Sequence, residues 1–287
     1  MIAIYKKEMR TYFTQMMGYI FLAFLLLLVG LWFVMMNVLP RDGNFHTVLN
    51  NVVVFFFILI PILTMRLFSE EAKNKTDQLL YTSPLSILGI VAGKYLAALS
   101  LFIIGVAVTI VLPFTASRFA ELPVSQITGA YIGFVLLGAA CIAIGVFVSV
   151  LTENQIIAAI ATMGAIFVMF LIDMIAFSMP TSAFASYLFV VFLIIAAAGI
   201  WYNSTRNIIT SVVLAVVGAG IALALYFMNN LVYDGVIVRT LLWFSIFARH
   251  SAFNQGVIYL SDVVYFVSFS TLFVYLTINV IEKRRWR

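Results

Sequence analysis

Eight apolar runs divide the sequence: residues 18–38, 52–68, 87–115, 127–151, 156–177, 183–201, 208–228 and 263–281. Each is near or above the roughly 17 residues that a helix needs to cross a bilayer's hydrocarbon. Typical soluble domains are about half apolar; here 64% of residues are hydrophobic and only 9% are charged. The expected fold class is therefore an all-α polytopic membrane protein, with 1–287 forming one transmembrane domain. Six runs make its core. The runs at 183–201 and 208–228 read as an extra helix pair spanning 183–228, joined by a turn whose only charge is Arg206. Pro61 and Pro113 fall inside or near the ends of two runs, a placement that bundle neighbours can accommodate.

With eight spans both termini lie on one side, and the basic residues choose it. Lys6, Lys7, Arg10, Arg66, Lys73, Lys75, Lys94, Arg206, Lys283, Arg284, Arg285 and Arg287 fall on the terminal side, against Arg41, Arg118, Arg239 and Arg249 on the other. Twelve against four predicts cytoplasmic termini. The same placement at helix ends accounts for the formal net charge of +5 without a nucleic-acid partner. Residues 1–16 put Ile2, Tyr5, Met9, Tyr12, Phe13 and Met16 at helical spacing, with Lys6, Lys7, Glu8, Arg10 and Gln15 opposite. That pattern fits an interfacial amphipathic helix, with a solvated surface helix as the alternative. The run at 18–38 is too long for a signal-peptide core and reads as a retained helix. Cys141, the single cysteine, lies inside an apolar run and reads as a small core residue.

Residues 229–262 form the longest connection, expected outside the membrane. Val238, Leu241, Leu242, Phe244 and Phe247 give it a helical apolar stripe, so one or two short non-spanning helices are expected there. Asp173 stands near the end of the fifth run. It is either an intramembrane polar site facing the bundle or a carboxylate close enough to the headgroups to stay hydrated. His46 and His250 fall in predicted external segments far from other strong ligands, so no metal site is expected.

One polar block stands apart. Five of the eight residues at 70–77 are charged: Glu70, Glu71, Lys73, Lys75 and Asp77. Each would cost about 2.5–3.5 kcal/mol at a span centre, so the block lies outside the hydrocarbon. Glu71 and Lys75 at i, i+4 and Glu70 and Lys73 at i, i+3 favour a helix. Ala72, Thr76, Leu79 and Leu80 share roughly another face, and Pro84 stops the helix. A short amphipathic helix is expected over residues 69–86, whether a mere connector or a docking element.

The run "FSEEAKNKTDQLLYTSPLSILGIVAGKYLAALSLF" resembles the intracellular loop of permease subunits of ABC-2 type transporters. The matching positions are Glu70, Glu71, Lys73, Thr76, Leu79, Leu80, Pro84, Gly93 and Lys94. The stretch 149–159, with Thr152, Glu153, Asn154 and Gln155, resembles the family's tight turn between its fourth and fifth spans. The stretch 253–286 resembles its last external helix, last span and basic tail, in the manner of the GldF/NosY-like branch. Members of that branch commonly have six spans, so the pair at 183–228 is a departure. The resemblance implies that 69–86 is a coupling helix seated in a cleft of a separate ATP-hydrolysing subunit. It implies further partners: a second permease copy or a related permease, and an extracytoplasmic accessory subunit.

The chain itself offers no nucleotide site. "GIVAGKY", residues 89–95, has three residues between its glycines where the phosphate-binding loop wants four, and Tyr95 where Ser or Thr should meet magnesium. It reads as a GxxxG packing face. No catalytic residue and no bound cofactor are expected in this chain, ATP and magnesium belonging to the partner. A stand-alone transporter or channel driven by an ion gradient is the alternative, but it would want several mid-span ionisable groups where this sequence offers little beyond Asp173. An intramembrane enzyme would need a paired His, Asp or Ser constellation in the spans, which the sequence lacks.

Overall fold

The computed structural model describes residues 1–76 and 85–285. Its helices are α1 (Ile2–Thr14), α2 (Met16–Phe33, continued by a π-turn at Val34–Val38), α3 (Phe45–Val53), α4 (Phe56–Thr64), α5 (Ser69–Lys73), α6 (Ile87–Thr109) and α7 (Val111–Ala116). Then follow α8 (Val124–Leu151), α9 (Gln155–Ser178), α10 (Ala183–Thr205), α11 (Ile208–Met228), α12 (Val236–Phe244), α13 (Ile246–Asn254) and α14 (Leu260–Arg285). Among the described residues, seven helices are long and apolar enough to cross a membrane, and two bent pairs, α3–α4 and the helices within residues 230–254, pass the same test only when each pair is taken together, so the crossings number seven to nine. The protein is a multi-pass membrane protein, and the extra pair at α10 and α11 is present as two full-length helices.

The second span differs from the expectation. The apolar run at 52–68 predicts one spanning helix there, whereas the helix begins at Phe45 and bends by 65° between Val53 and Phe56. At the break the Phe55 and Ile58 amides donate three residues back, to Val52 and Phe55. Residues 45–51 carry Phe45, Val48 and Leu49 inward at fully buried positions, while His46, Thr47, Asn50 and Asn51 dilute the hydropathy of the stretch. Phe45 stacks on Tyr131 of α8 with ring centroids 5.8 Å apart.

The chain divides into two compact units, 1–169 with 246–287, and Phe170–Ser245. In the first, α8 is the central element, touched by α3, α4, α6, α13 and α14. Lipid tails are as apolar as leucine, so close packing rather than water exclusion holds such helices together. Small residues on α8 permit it: a Cβ at Gly138 would lie 2.3 Å from the Phe102 ring, and one at Gly145 2.2 Å from Thr64 Oγ1. Around them Phe56, Phe102 and Phe134 form an aromatic cluster with centroids 4.8–5.7 Å apart. Cys141 is fully buried in the same helix.

The second unit is built on the α10–α11 pair. Gly218 packs under Ile194, and Tyr187, Tyr226 and Tyr233 form a ring cluster that the Tyr233 hydroxyl ties to the Ala222 carbonyl at 2.9 Å. Few of its side chains are buried, and the exposed ones are mostly Ile, Leu, Val and Phe, as lipid-facing helices require. α12 and α13 have nine residues each, too short for either to cross alone.

Candidate functional site

The N-terminal helix is bound to the rest of its unit by more than apolar contact. α1 lies along α6, and the GxxxG face of α6 makes the approach close. A Cβ added at Gly93 would stand 3.0 Å from Ile4 Cβ, and one at Gly89 would stand 3.4 Å from the Met1 nitrogen. The Tyr5 hydroxyl donates to Ser100 Oγ at 3.1 Å, and the Tyr12 hydroxyl to the Leu63 carbonyl at the end of α4 at 2.9 Å.

Next to Gly93, Lys94 occupies the middle of this junction. Its side chain is 1% exposed, yet the ammonium is met on several sides, by two hydrogen bonds and a further ion pair. It meets Glu8 Oε1 of α1 at 2.8 Å, Glu71 Oε2 of α5 at 2.9 Å and the Leu67 carbonyl at 2.6 Å. That carbonyl is available because α4 ends at Thr64 and residues 65–68 run as a turn. The Phe68 ring covers the ammonium with its centroid 5.1 Å away. Lys7 Nζ holds the other Glu71 oxygen at 2.8 Å and approaches Glu8 at 3.8 Å. Two cations and two carboxylates thus close on one another, and Arg66 pairs separately with Glu70 at 2.7 Å. Buried charges persist only where geometry supplies such complete pairing.

The junction frames a polar cavity of about 210 Å³ bordered by Lys7, Glu8, Arg66, Glu70, Glu71 and Lys94. Partial burial alone would lower the Lys7 pKa, but the Glu71 hydrogen bond and the carboxylates of Glu71, Glu8 and Glu70 raise it above the ordinary lysine value. Burial first, and then the Glu8 charge, push the Tyr12 phenol well above the usual tyrosine range.

These contacts correct the local pairing expected from spacing. α5 stops at Lys73, and Lys75 adopts a left-handed backbone with φ of 57°. The Thr76 amide reaches back to the Glu71 carbonyl at 3.0 Å and the Lys75 amide to Ala72 at 3.1 Å, a helix-ending turn normally built on glycine. The helix is therefore not continuous through 70–76. Glu71 pairs with Lys7 and Lys94 rather than Lys75, and Glu70 with Arg66 rather than Lys73. Glu8, assigned to the polar side of α1, is buried, because the Lys94 ammonium draws it inward. Asp77, Leu79, Leu80 and Pro84 lie outside the described residues.

The second turn is as short as expected: α8 ends at Leu151 and α9 begins at Gln155. Thr152 Oγ1 accepts from the Asn154 amide at 3.1 Å, and Asn154 Oδ1 accepts from Ile156 N at 2.9 Å, capping α9; Glu153 lies between them. α5 also rests on α8, the helix that leads into this turn. Asp173 belongs to the second unit and is partly buried in α9, five residues before its end. His250 is buried where α13 crosses α8 at Gly133, as a packing residue. Among the described residues no three His, Cys, Asp or Glu side chains converge as metal ligands would.

A family model described as ABC-2 family transporter protein matches residues 4–204 of the 287. No curated protein and no solved structure matches the chain. The matched stretch contains Glu8, Glu71 and Lys94 and ends before 253–286, the stretch that carries the likeness to the GldF/NosY-like branch.

Proposed function

The chain belongs to the ABC-2 transporter family, and from that premise we propose that it is a permease subunit driven by ATP hydrolysis in a separate nucleotide-binding subunit. On this reading it exports a substrate or delivers mechanical work across a bacterial inner membrane, with both termini cytoplasmic. Two copies, or one copy and a related permease, pair with two ATPase subunits, and the segment 229–262 lies outside, where an accessory subunit would dock. The chain itself is non-catalytic, and ATP and magnesium belong to the partner.

One observation carries the reading: the polar block after the second span is fastened to the foot of the third span through a buried lysine. A loop that merely joins two spans has no need of such an anchor. A loop pushed by a closing ATPase does, because a force applied to Glu70, Glu71, Lys73, Lys75 and Thr76 is then passed to α1, α4 and α6 together. The second cytoplasmic turn at Thr152, Glu153, Asn154 and Gln155 would form a second contact with the same partner.

Leu79→Asp together with Leu80→Asp tests this. Two carboxylates in a desolvated interface cost several kcal/mol, and neither residue falls in one of the sequence's long apolar runs. The expected result is normal membrane abundance with loss of a copurifying ABC-type ATPase. A double variant that still retains that ATPase and stimulates its hydrolysis overturns the proposal.

A further inference from the structure

We propose that the outward face of α1 is a binding surface for anionic phospholipid headgroups. The inward face is spent on Ile4, Glu8 and Tyr12, all buried. On the outer side Ile2, Lys6, Met9 and Phe13 advance by four, three and four residues and so share one stripe of α1, which sets Lys6 beside apolar residues that the amphipathic pattern placed across the helix from it. Arg10 flanks it, one turn beyond Lys6. Ile2 is 68% and Phe13 38% exposed, unusual for apolar residues at a helix surface that also carries cations unless lipid covers them; Met16, the first residue of the span that follows, is 80% exposed.

Charge selects the occupant. Lys7, Arg66 and Lys94 each hold a carboxylate within 3 Å. Lys6 and Arg10 are exposed and have no ion-pair partner among the described residues. Residues one turn apart stand about 5–6 Å from each other at Cβ, close enough for both cations to reach one phosphate group.

Connectivity fixes the depth. α1 ends at Thr14, Gln15 is extended, and the first span starts at Met16, so a single residue ties the helix to the membrane surface. Phe13 packs edge-on against Tyr19 in the first turn of that span, with centroids 6.1 Å apart. That contact sets Phe13 at the headgroup–acyl boundary, where aromatic side chains collect. A ligand meeting Lys6 and Arg10 on one side and Phe13 and Met16 on the other must be anionic at its head and apolar behind it. A phospholipid of the leaflet on the α1 side meets both demands, whereas free phosphate meets only the first. The binding does not depend on what powers the transporter.

The full chain carries the test. Ala3, exposed on α1, is replaced by cysteine in a Cys141→Ala background, labelled with an environment-sensitive fluorophore and placed in phosphatidylcholine nanodiscs with increasing phosphatidylglycerol. A saturable response is expected, weakened by salt. Juxtamembrane cations contribute about 1 kcal/mol each, so Lys6→Gln with Arg10→Gln should raise the phosphatidylglycerol midpoint by up to about 30-fold. Lys6→Arg with Arg10→Lys should keep the midpoint, as should Lys283→Gln with Arg284→Gln at the other terminus. An unshifted midpoint in the double neutral variant overturns the proposal. So does an equal shift from the tail variant, a flat response in the parent chain, or an equal response to inorganic phosphate alone. No ATPase is present in this assay, so its failure leaves the permease reading standing, and loss of that reading leaves the lipid surface standing.

Discussion

Replacing Lys94 with methionine keeps most of the side-chain volume and removes the charge at the centre of the α1–α5–α6 junction. Glu8 and Glu71 then share one cation, Lys7, which lies 2.8 Å from Glu71 but 3.8 Å from Glu8 and whose side chain is 55% exposed. The Leu67 carbonyl loses its donor, and the Phe68 ring loses the ammonium beneath it. Removing one member of a buried ion pair typically costs about 3–5 kcal/mol, chiefly because the remaining charge is left uncompensated. Lys94→Met should fall in that range. Lys7→Gln removes an exposed partner and should cost about 1 kcal/mol or less. Glu8→Gln should fall between them, since Lys94 keeps Glu71 and the carbonyl.

The decisive quantity is the coupling. In Lys94→Met with Glu8→Gln one stranded carboxylate is gone, so the double variant should be less destabilised than the sum of the singles, by about 0.5–3 kcal/mol. Unfolding by SDS titration in mixed micelles supplies all four corners of the cycle. If Lys94→Met costs no more than Lys7→Gln, or if the two changes simply add, the buried lysine does not organise this junction.

Two further outcomes follow from the same region and its neighbour. Lys7 and Tyr12 both hold their protons more tightly folded than at their ordinary values of 10.5 and 10.0. Their contribution is therefore complete below about pH 10 and lost as pH rises from there towards the raised values; Tyr12→Phe should flatten the alkaline fall in thermal stability, and parallel pH curves for variant and parent would count against the burial argument. Gly145→Ala drives a methyl to within 2.2 Å of Thr64 Oγ1, whereas Gly164 has open space around its added Cβ. The first should therefore cost about 1–3 kcal/mol by overpacking and the second nothing or less, and equal micellar stabilities would refute the assigned α4–α8 contact.

Spans were legible wherever composition alone decides the matter. A helix in lipid must satisfy its backbone internally and show apolar side chains all round, so α2, α6, α8, α10 and α11 appear as unbroken runs. α3 escaped because it is solvated by protein and not by lipid. Only Phe45, Val48, Leu49, Val52 and Val53 need be apolar there, and averaging over the intervening His46, Thr47, Asn50 and Asn51 hides a stripe that the i, i+3, i+4, i+7 spacing in fact displays. The bend after Val53 left no such trace. It has no glycine or proline of its own among Val52, Val53, Val54, Phe55 and Phe56, and both arms of the bend pack on α8.

The charges were misread for a different reason. Spacing rules see partners within one helical turn, and by those rules Glu71 belongs with Lys75. Such an exposed pair contributes a few tenths of a kcal/mol, which any better partner overrides. Lys94 is that partner: an ammonium at 1% exposure cannot remain unpaired, and its carboxylates lie 86 residues away on α1 and 23 residues away on α5. The signal available in the sequence was Lys94 itself, a cation seven residues inside an apolar helix and one residue past the GxxxG face. A lysine there must either reach the headgroups or be met by acids brought to it. The second course explains why Glu8 turns inward on an otherwise amphipathic helix and why Glu71 of α5 faces the foot of α6. The charged block is thus divided: Glu71 anchors it to the spans, while Lys73, Lys75 and Thr76 stay exposed beyond the anchor or near it.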